Sequence, residues 1–200
     1  MEDGQTARWK MARCFVLPFG RLMTDRQLAE YRALRETIRQ RGSLRMTLVP
    51  VIFLGWAATA IATAAVITVA ISTLVPLLVL VAGFETVFAL HINVERIGRY
   101  LQVFHESDGG WEQVAMAFGE RPGARAPDPL FAQLFVFGIS LNLLPVLLGG
   151  EPPEIIVLAV LHLLAVYRIR MARTASRRQR SEDLQRFQSL RTPAAGSESN

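Results

Sequence analysis

Glu85, in the stretch "FETVFALHINVERIGRY", follows thirty-nine residues, 46–84, that carry no charge. A carboxylate so placed can pass a proton or cation, ligate a metal, or tie helices together through hydrogen bonds. An isolated charge in hydrocarbon is costly, so intramembrane acids face protein or water and are functional candidates by default. His162 is a second such group, an imidazole whose charge changes near neutral pH. Counting ~1.5 Å per residue from the outer ends of the apolar stretches puts Glu85 about 16 Å deep and His162 about 12 Å deep, with Asn142, Thr59 and Thr63 at similar depths. These residues are expected to form one polar layer to which four helices contribute.

Three chemistries compete for that layer. The plainest is structural, with Glu85 either protonated or bonded to a hydroxyl, amide or imidazole so that helix register is fixed. The second is a proton or cation path through Glu85 and His162 in an oligomeric channel. The third is a metal site, for which His91 and Glu95, four residues apart on a helix, could give two ligands. His105 and Glu106 lie too far along to complete the set, so no metal is expected, and His91 and Glu95 are read as an interfacial hydrogen-bonded pair. Together with Arg96 and Arg99, whose guanidinium forks suit phosphate or carboxylate, they are the candidate cytoplasmic interface. No nucleophile elbow, P-loop, zincin pair, dinucleotide fingerprint or cysteine cluster occurs. No catalytic residue and no cofactor is therefore expected, and the chain is read as non-enzymatic.

The elements that must position these groups follow from composition. Of two hundred residues, 51% are hydrophobic, and the mean hydropathy is +0.27, which points to the bilayer as solvent. A helix crosses ~30 Å of hydrocarbon in ~20 residues, so the uncharged run must hold two spans. They are placed at about 48–69 and 74–94, with the break at Ser72, Thr73 and Pro76, where a hydroxyl cap precedes a helix-starting proline. A third span, about 130–148, follows "APDP", in which Asp128 caps and Pro129 takes the first helical position. Gly138 and Pro145 are expected to kink it. The fourth, about 153–171, follows "GGEPPE". The fold class is thus all-α, a polytopic membrane protein with four transmembrane helices in two antiparallel hairpins and cytoplasmic helical extensions.

All 22 Lys and Arg residues lie in three groups: ten before Thr47, four between Arg96 and Arg125, and eight from Arg168 onward. Cationic residues stay on the side from which helices insert. The N-terminal region 1–47, the loop 95–129 and the C-terminal region 172–200 are therefore assigned to the cytoplasm, both termini included. The outer connections carry only Glu151 and Glu154. The excess of basic residues on one face attracts anionic lipid by about 1 kcal/mol per nearby residue. Topology explains the arginines better than nucleic acid does. Twenty-one Arg against one Lys suggest a GC-rich bacterial gene, hence an inner membrane. No cleavable leader is expected, since the first forty-six residues are polar, and the lone Cys14 is read as an idle thiol.

Outside the spans, "TDRQLAEYRALRETIRQRGS" opens with a Thr24–Gln27 capping box and can end at Gly42. The second span should project as a helix to about Ser107, and the fourth should extend likewise, so a small cytoplasmic bundle is expected. "SEDLQRFQSL" reads as a separate capped helix, with the tail from 192 disordered. Trp111, Val114, Ala115 and Phe118 give one apolar face, suited either to the membrane interface or to packing on the bundle. Trp9 and Phe15, among basic residues, are further interfacial candidates. Gly55, Ala58 and Ala62, with Thr59 and Thr63, give the first span the small-residue spacing of close helix contacts. The reading is a self-associating membrane scaffold or effector subunit. It presents a basic helical bundle to a cytoplasmic protein partner or to anionic lipid, with the proton or cation channel as its alternative.

Overall fold

The computed structural model describes residues 23–66, 69–106, 110–120 and 128–196. Trp9 and Phe15 lie outside them. The described chain forms helices α1 (Asp25–Val66), α2 (Leu74–Phe104), α3 (Trp111–Glu120), α4 (Ala132–Gly149) and α5 (Pro152–Gly196), with a 3-10 turn at Ala70–Thr73 before α2. No strand occurs among the described residues. Four helices, α1, Ala70–Phe104, α4 and α5, are long and apolar enough to cross a membrane.

The capping box is present at the start of α1, where the Thr24 N–H donates to Gln27 Oε1 at 3.0 Å and the Gln27 N–H to Thr24 Oγ1 at 3.3 Å. Gly42 does not end the helix, which continues through Gly42 and Pro50 into the first candidate span. A helical glycine costs only about 1 kcal/mol, and Pro50 gives up its single amide bond on an exposed face. The break before α2 falls where expected, yet its chemistry differs. The Thr73 hydroxyl donates to Ala70 O at 2.8 Å and makes no cap bond. The 3-10 turn supplies the reversal instead. α5 is one helix to Gly196, because Ser181 Oγ donates back to Arg178 O and does not cap a new start. The tail expected to be disordered from 192 is therefore helical to Gly196.

Contacts between helices run in a consistent order. Along α1, Arg35, Arg45, Ile52 and Gly55 meet Glu106, His91, Gly83 and Val79 in turn. Along α2, Glu85, His91 and Arg96 meet Arg168, Ser176 and Asp183 of α5 in rising order. The core fills the space between: Leu80, Phe84 and Val87 of α2, Phe135 and Ile139 of α4, and Ala165, Ile169 and Ala172 of α5. Phe135 meets Phe84 edge-on and Phe53 at a tilt, both with centroids 5.4 Å apart. On α5 the buried positions Leu158, His162, Ala165, Ile169, Ala172, Ser176 and Asp183 are spaced by three and four, with one seven-residue step. This is the seam of a coiled-coil-like packing.

The tight contact of α1 is not made by its own small residues. Ala58 and Ala62 are exposed, and a Cβ on Gly55 would find only Val79, at 3.9 Å. The close approach belongs to Gly83, where a Cβ would come within 2.4 Å of Ile52 Cγ2. Isoleucine is stiff at χ1 and cannot swing away cheaply. Gly83→Ala should cost about 1–3 kcal/mol of unfolding free energy in detergent, and Ile52→Ala in the same chain should recover part of it. Additive losses in the double variant would show that the two residues do not meet.

Candidate functional site

The polar groups separate into three clusters along the bundle. The first lies toward the 3-10 turn. Asn142 of α4, 5% exposed, accepts from Trp56 Nε1 at 3.2 Å, and its amide nitrogen contacts Thr73 O and His162 Nε2, each at 3.0 Å. The amide donates to both, so His162 Nε2 accepts. His162 Nδ1 then carries the proton and donates to Leu158 O at 2.7 Å. Four elements are tied by side chains whose every donor and acceptor named here is matched. Thr59 and Thr63 do not join them. Each hydroxyl donates to its own helix, Thr59 to Gly55 O and Thr63 to Thr59 O.

The second cluster holds Glu85, which does not meet His162 either. Arg168 Nη2 of α5 donates to Glu85 Oε2 at 2.8 Å, and the same guanidinium lies 5.3 Å from the Phe88 ring centroid. The expected single layer is therefore two separate sites. Arg168 lies six residues beyond His162, about 9 Å along α5. The partner of Glu85 is a guanidinium, where the sequence suggested hydroxyl, amide or imidazole.

The third cluster lies at the end of the candidate spans. His91, 4% exposed, sits between Arg45 of α1 and Ser176 of α5, both at 3.1 Å. A guanidinium can only donate, so His91 Nδ1 accepts from Arg45 and Nε2 must donate to Ser176 Oγ. In that tautomer His91 cannot take a proton from the serine, so this Ser–His contact does not activate a nucleophile. Glu95 does not bond His91 as expected. Arg180 Nε stands 2.7 Å from its Oε2 and Arg99 Nη2 3.5 Å, so both residues of the proposed pair are drawn to partners elsewhere. Burial lowers the pKa of Arg99 and of Arg45, and Glu95 opposes that shift at both. Arg96 reaches Asp183 at 3.2 Å, and Arg99 also donates to Gln102 at 2.8 Å.

Beyond these clusters, Tyr100, Phe104 and Phe187 pack together, and Arg191 donates to Val103 O. The extensions of α1, α2 and α5 thus form a bundle past the candidate spans. Arg35 Nη2 reaches Glu106 at 2.6 Å and Nη1 reaches Glu112 at 2.7 Å, which anchors the polar side of α3. The other side is left open, with Trp111 70%, Val114 53% and Phe118 64% exposed. Ala115 is exposed as well. The four apolar residues share one face, and that face does not pack on the bundle.

Asp128 sets the start of α4 differently from the expectation. Its Oδ1 accepts from the Leu130 N–H at 3.3 Å and its Oδ2 from the Ala132 N–H at 2.7 Å, while Arg173 pairs with Oδ2. Pro129 lies in the preceding turn, and Phe131 takes φ 50° just before the first helical residue. Burial raises the Asp128 pKa, but Arg173 and the two N–H groups outweigh it, so the net value falls below the usual 3.8. Stability from this depressed carboxyl is present above pH 3.8 and is lost as pH falls through the folded value. Asp128→Ala should cost about 1–2 kcal/mol at pH 7, and the gap to the native chain should narrow in acid. A gap that stays constant from pH 7 to pH 3 would exclude the charged cap.

No protein-family model matches the chain, and neither a curated protein nor a solved structure matches it significantly.

Proposed function

We propose that the chain is an integral inner-membrane protein of four spans in two antiparallel hairpins, with both termini cytoplasmic, that self-associates and presents its basic helical bundle to a cytoplasmic protein partner. It acts as a scaffold or effector subunit, without catalysis. The observation that carries this reading is the position of α1. Only 6% of its most apolar stretch is buried, against 28%, 33% and 22% in the other three candidate spans. Its Val51, Leu54 and Ile61 are exposed together with the small Ala58 and Ala62. Small residues on an open span allow close backbone approach by a second copy. The exposed apolar face of α3, held by Arg35, is the matching feature of the cytoplasmic side.

The channel alternative draws little from the geometry. Glu85 is paired with Arg168 through one carboxylate oxygen, and His162 is bonded to Asn142 and Leu158, so no contact among the described residues links the two groups into a path. Native mass spectrometry and cross-linking of the full chain in mild detergent test the proposal. An oligomer is expected, reduced by Ala58→Phe with the monomer's melting unchanged because Ala58 is exposed. A clean monomer with no copurifying protein overturns it.

A further inference from the structure

We infer that the groove between the start of α4 and the middle of α5 is a binding site for one anionic phospholipid of the cytoplasmic leaflet. The inference rests on the membrane topology proposed above and gives the lipid a place. The groove, about 360 Å³, is lined by Gln133, Val136 and Phe137 of α4 and by Ile169, Arg170 and Arg173 of α5. That volume lies in the range of small-molecule sites, roughly 300–1,000 Å³.

Its polarity is graded along the bundle. Asn142 meets His162 and Asp128 meets Arg173, so Gln133 and Arg170 stand at about one level. Arg173 lies nearer the cytoplasmic end, and Val136 and Phe137 lie about one turn deeper. The wet end is cationic and the deep end apolar. Phe137 is 64% exposed, so the deep end opens to the lipid side of the candidate span. A phospholipid has this order of groups, with a phosphate above and an acyl chain below.

Arg170 is the residue that decides the charge of the site. Of the three arginines within one and a half turns of α5, Arg168 is paired with Glu85 and Arg173 with Asp128. Arg170 is exposed and has no carboxylate partner among the described residues. The groove therefore holds one uncompensated guanidinium over an apolar floor, and the complementary group is a phosphodiester whose headgroup adds no positive charge. A guanidinium fork also suits a phosphate's two oxygens geometrically.

The test uses the delipidated full chain in detergent, titrated with phosphatidylglycerol or phosphatidylcholine of identical acyl chains and read by native mass spectrometry as lipid retained per chain. One phosphatidylglycerol per chain is expected, held more tightly than phosphatidylcholine. Arg170→Gln should weaken phosphatidylglycerol by about fivefold, while Arg177→Gln, the same loss of charge on an exposed part of α5 outside the groove, should leave retention unchanged. Equal retention of the two lipids overturns the site, as does an Arg170→Gln chain that binds like the native one. An equal loss in Arg177→Gln also overturns it, by reducing the effect to diffuse attraction. Because retention is counted per chain, a monomeric protein would sink self-association and leave this result standing.

Discussion

Asn142→Leu should lower the unfolding free energy by about 2–4 kcal/mol while leaving helix content unchanged. Leucine matches asparagine in shape, so packing around α4 is preserved and the loss is of hydrogen bonds. Three are removed at once, to Trp56, Thr73 and His162. Bonds between membrane helices average only about 0.6 kcal/mol each, because the unfolded chain in lipid finds other partners. That average sets a floor near 2 kcal/mol. His162, however, is 2% exposed, and its Nε2 would be stranded, at about 1–3 kcal/mol for a buried orphan. His162→Leu should cost less, since the Asn142 amide keeps its bond to Thr73 O and Leu158 O returns to ordinary helix bonding. A double-mutant cycle in detergent unfolding should then give a coupling of about 1 kcal/mol. A single Asn142→Leu loss under about 0.5 kcal/mol would mean that the network does not hold the four elements together.

Much of the architecture was legible because it depends on local signals. Charge-free length gives the helices long and apolar enough to cross a membrane, and the Thr24–Gln27 box gives the start of α1. Gly42 misled, since a glycine signals an end only when the chain must turn, and here the helix runs on into the first candidate span. The sites were legible only in part, for a geometric reason. Depth along a single helix can be counted from sequence, but the relative slide and rotation of two helices cannot. Glu85, His162 and Asn142 were placed at similar depths, and only Asn142 and His162 meet. The partner of Glu85 was hidden because Arg168 follows the last apolar run and was read as topology. The three-and-four spacing of Leu158, His162, Ala165, Ile169 and Ala172 was present in the sequence and would have put His162 on the packed seam. Gly83 carried no such signal, because its meaning depends on Ile52 lying opposite.

The Glu85–Arg168 pair is expected to be asymmetric, with Arg168→Leu costing more than Glu85→Leu. The two groups are 2.8 Å apart with side chains 39% and 44% exposed, so solvent or headgroup access already weakens the attraction. What differs is the fate of the survivor. In the proposed topology, an arginine left alone near the end of a candidate span can extend its long stem toward the headgroups, and Arg168 keeps the Phe88 ring beside it. A glutamate eleven residues beyond Leu74 has a short stem and no comparable route out. Insertion scales put a charged residue at the centre of a span at about 2.5–3.5 kcal/mol, and Arg168→Leu should approach that range while Glu85→Leu stays near 1 kcal/mol. The double variant Glu85→Leu with Arg168→Leu leaves no stranded charge and should be at least as stable as either single one. Membrane yield and detergent unfolding of the three chains read this directly. Equal losses from the two single changes, or a double variant no better than Arg168→Leu, would show that Arg168 does not neutralise Glu85.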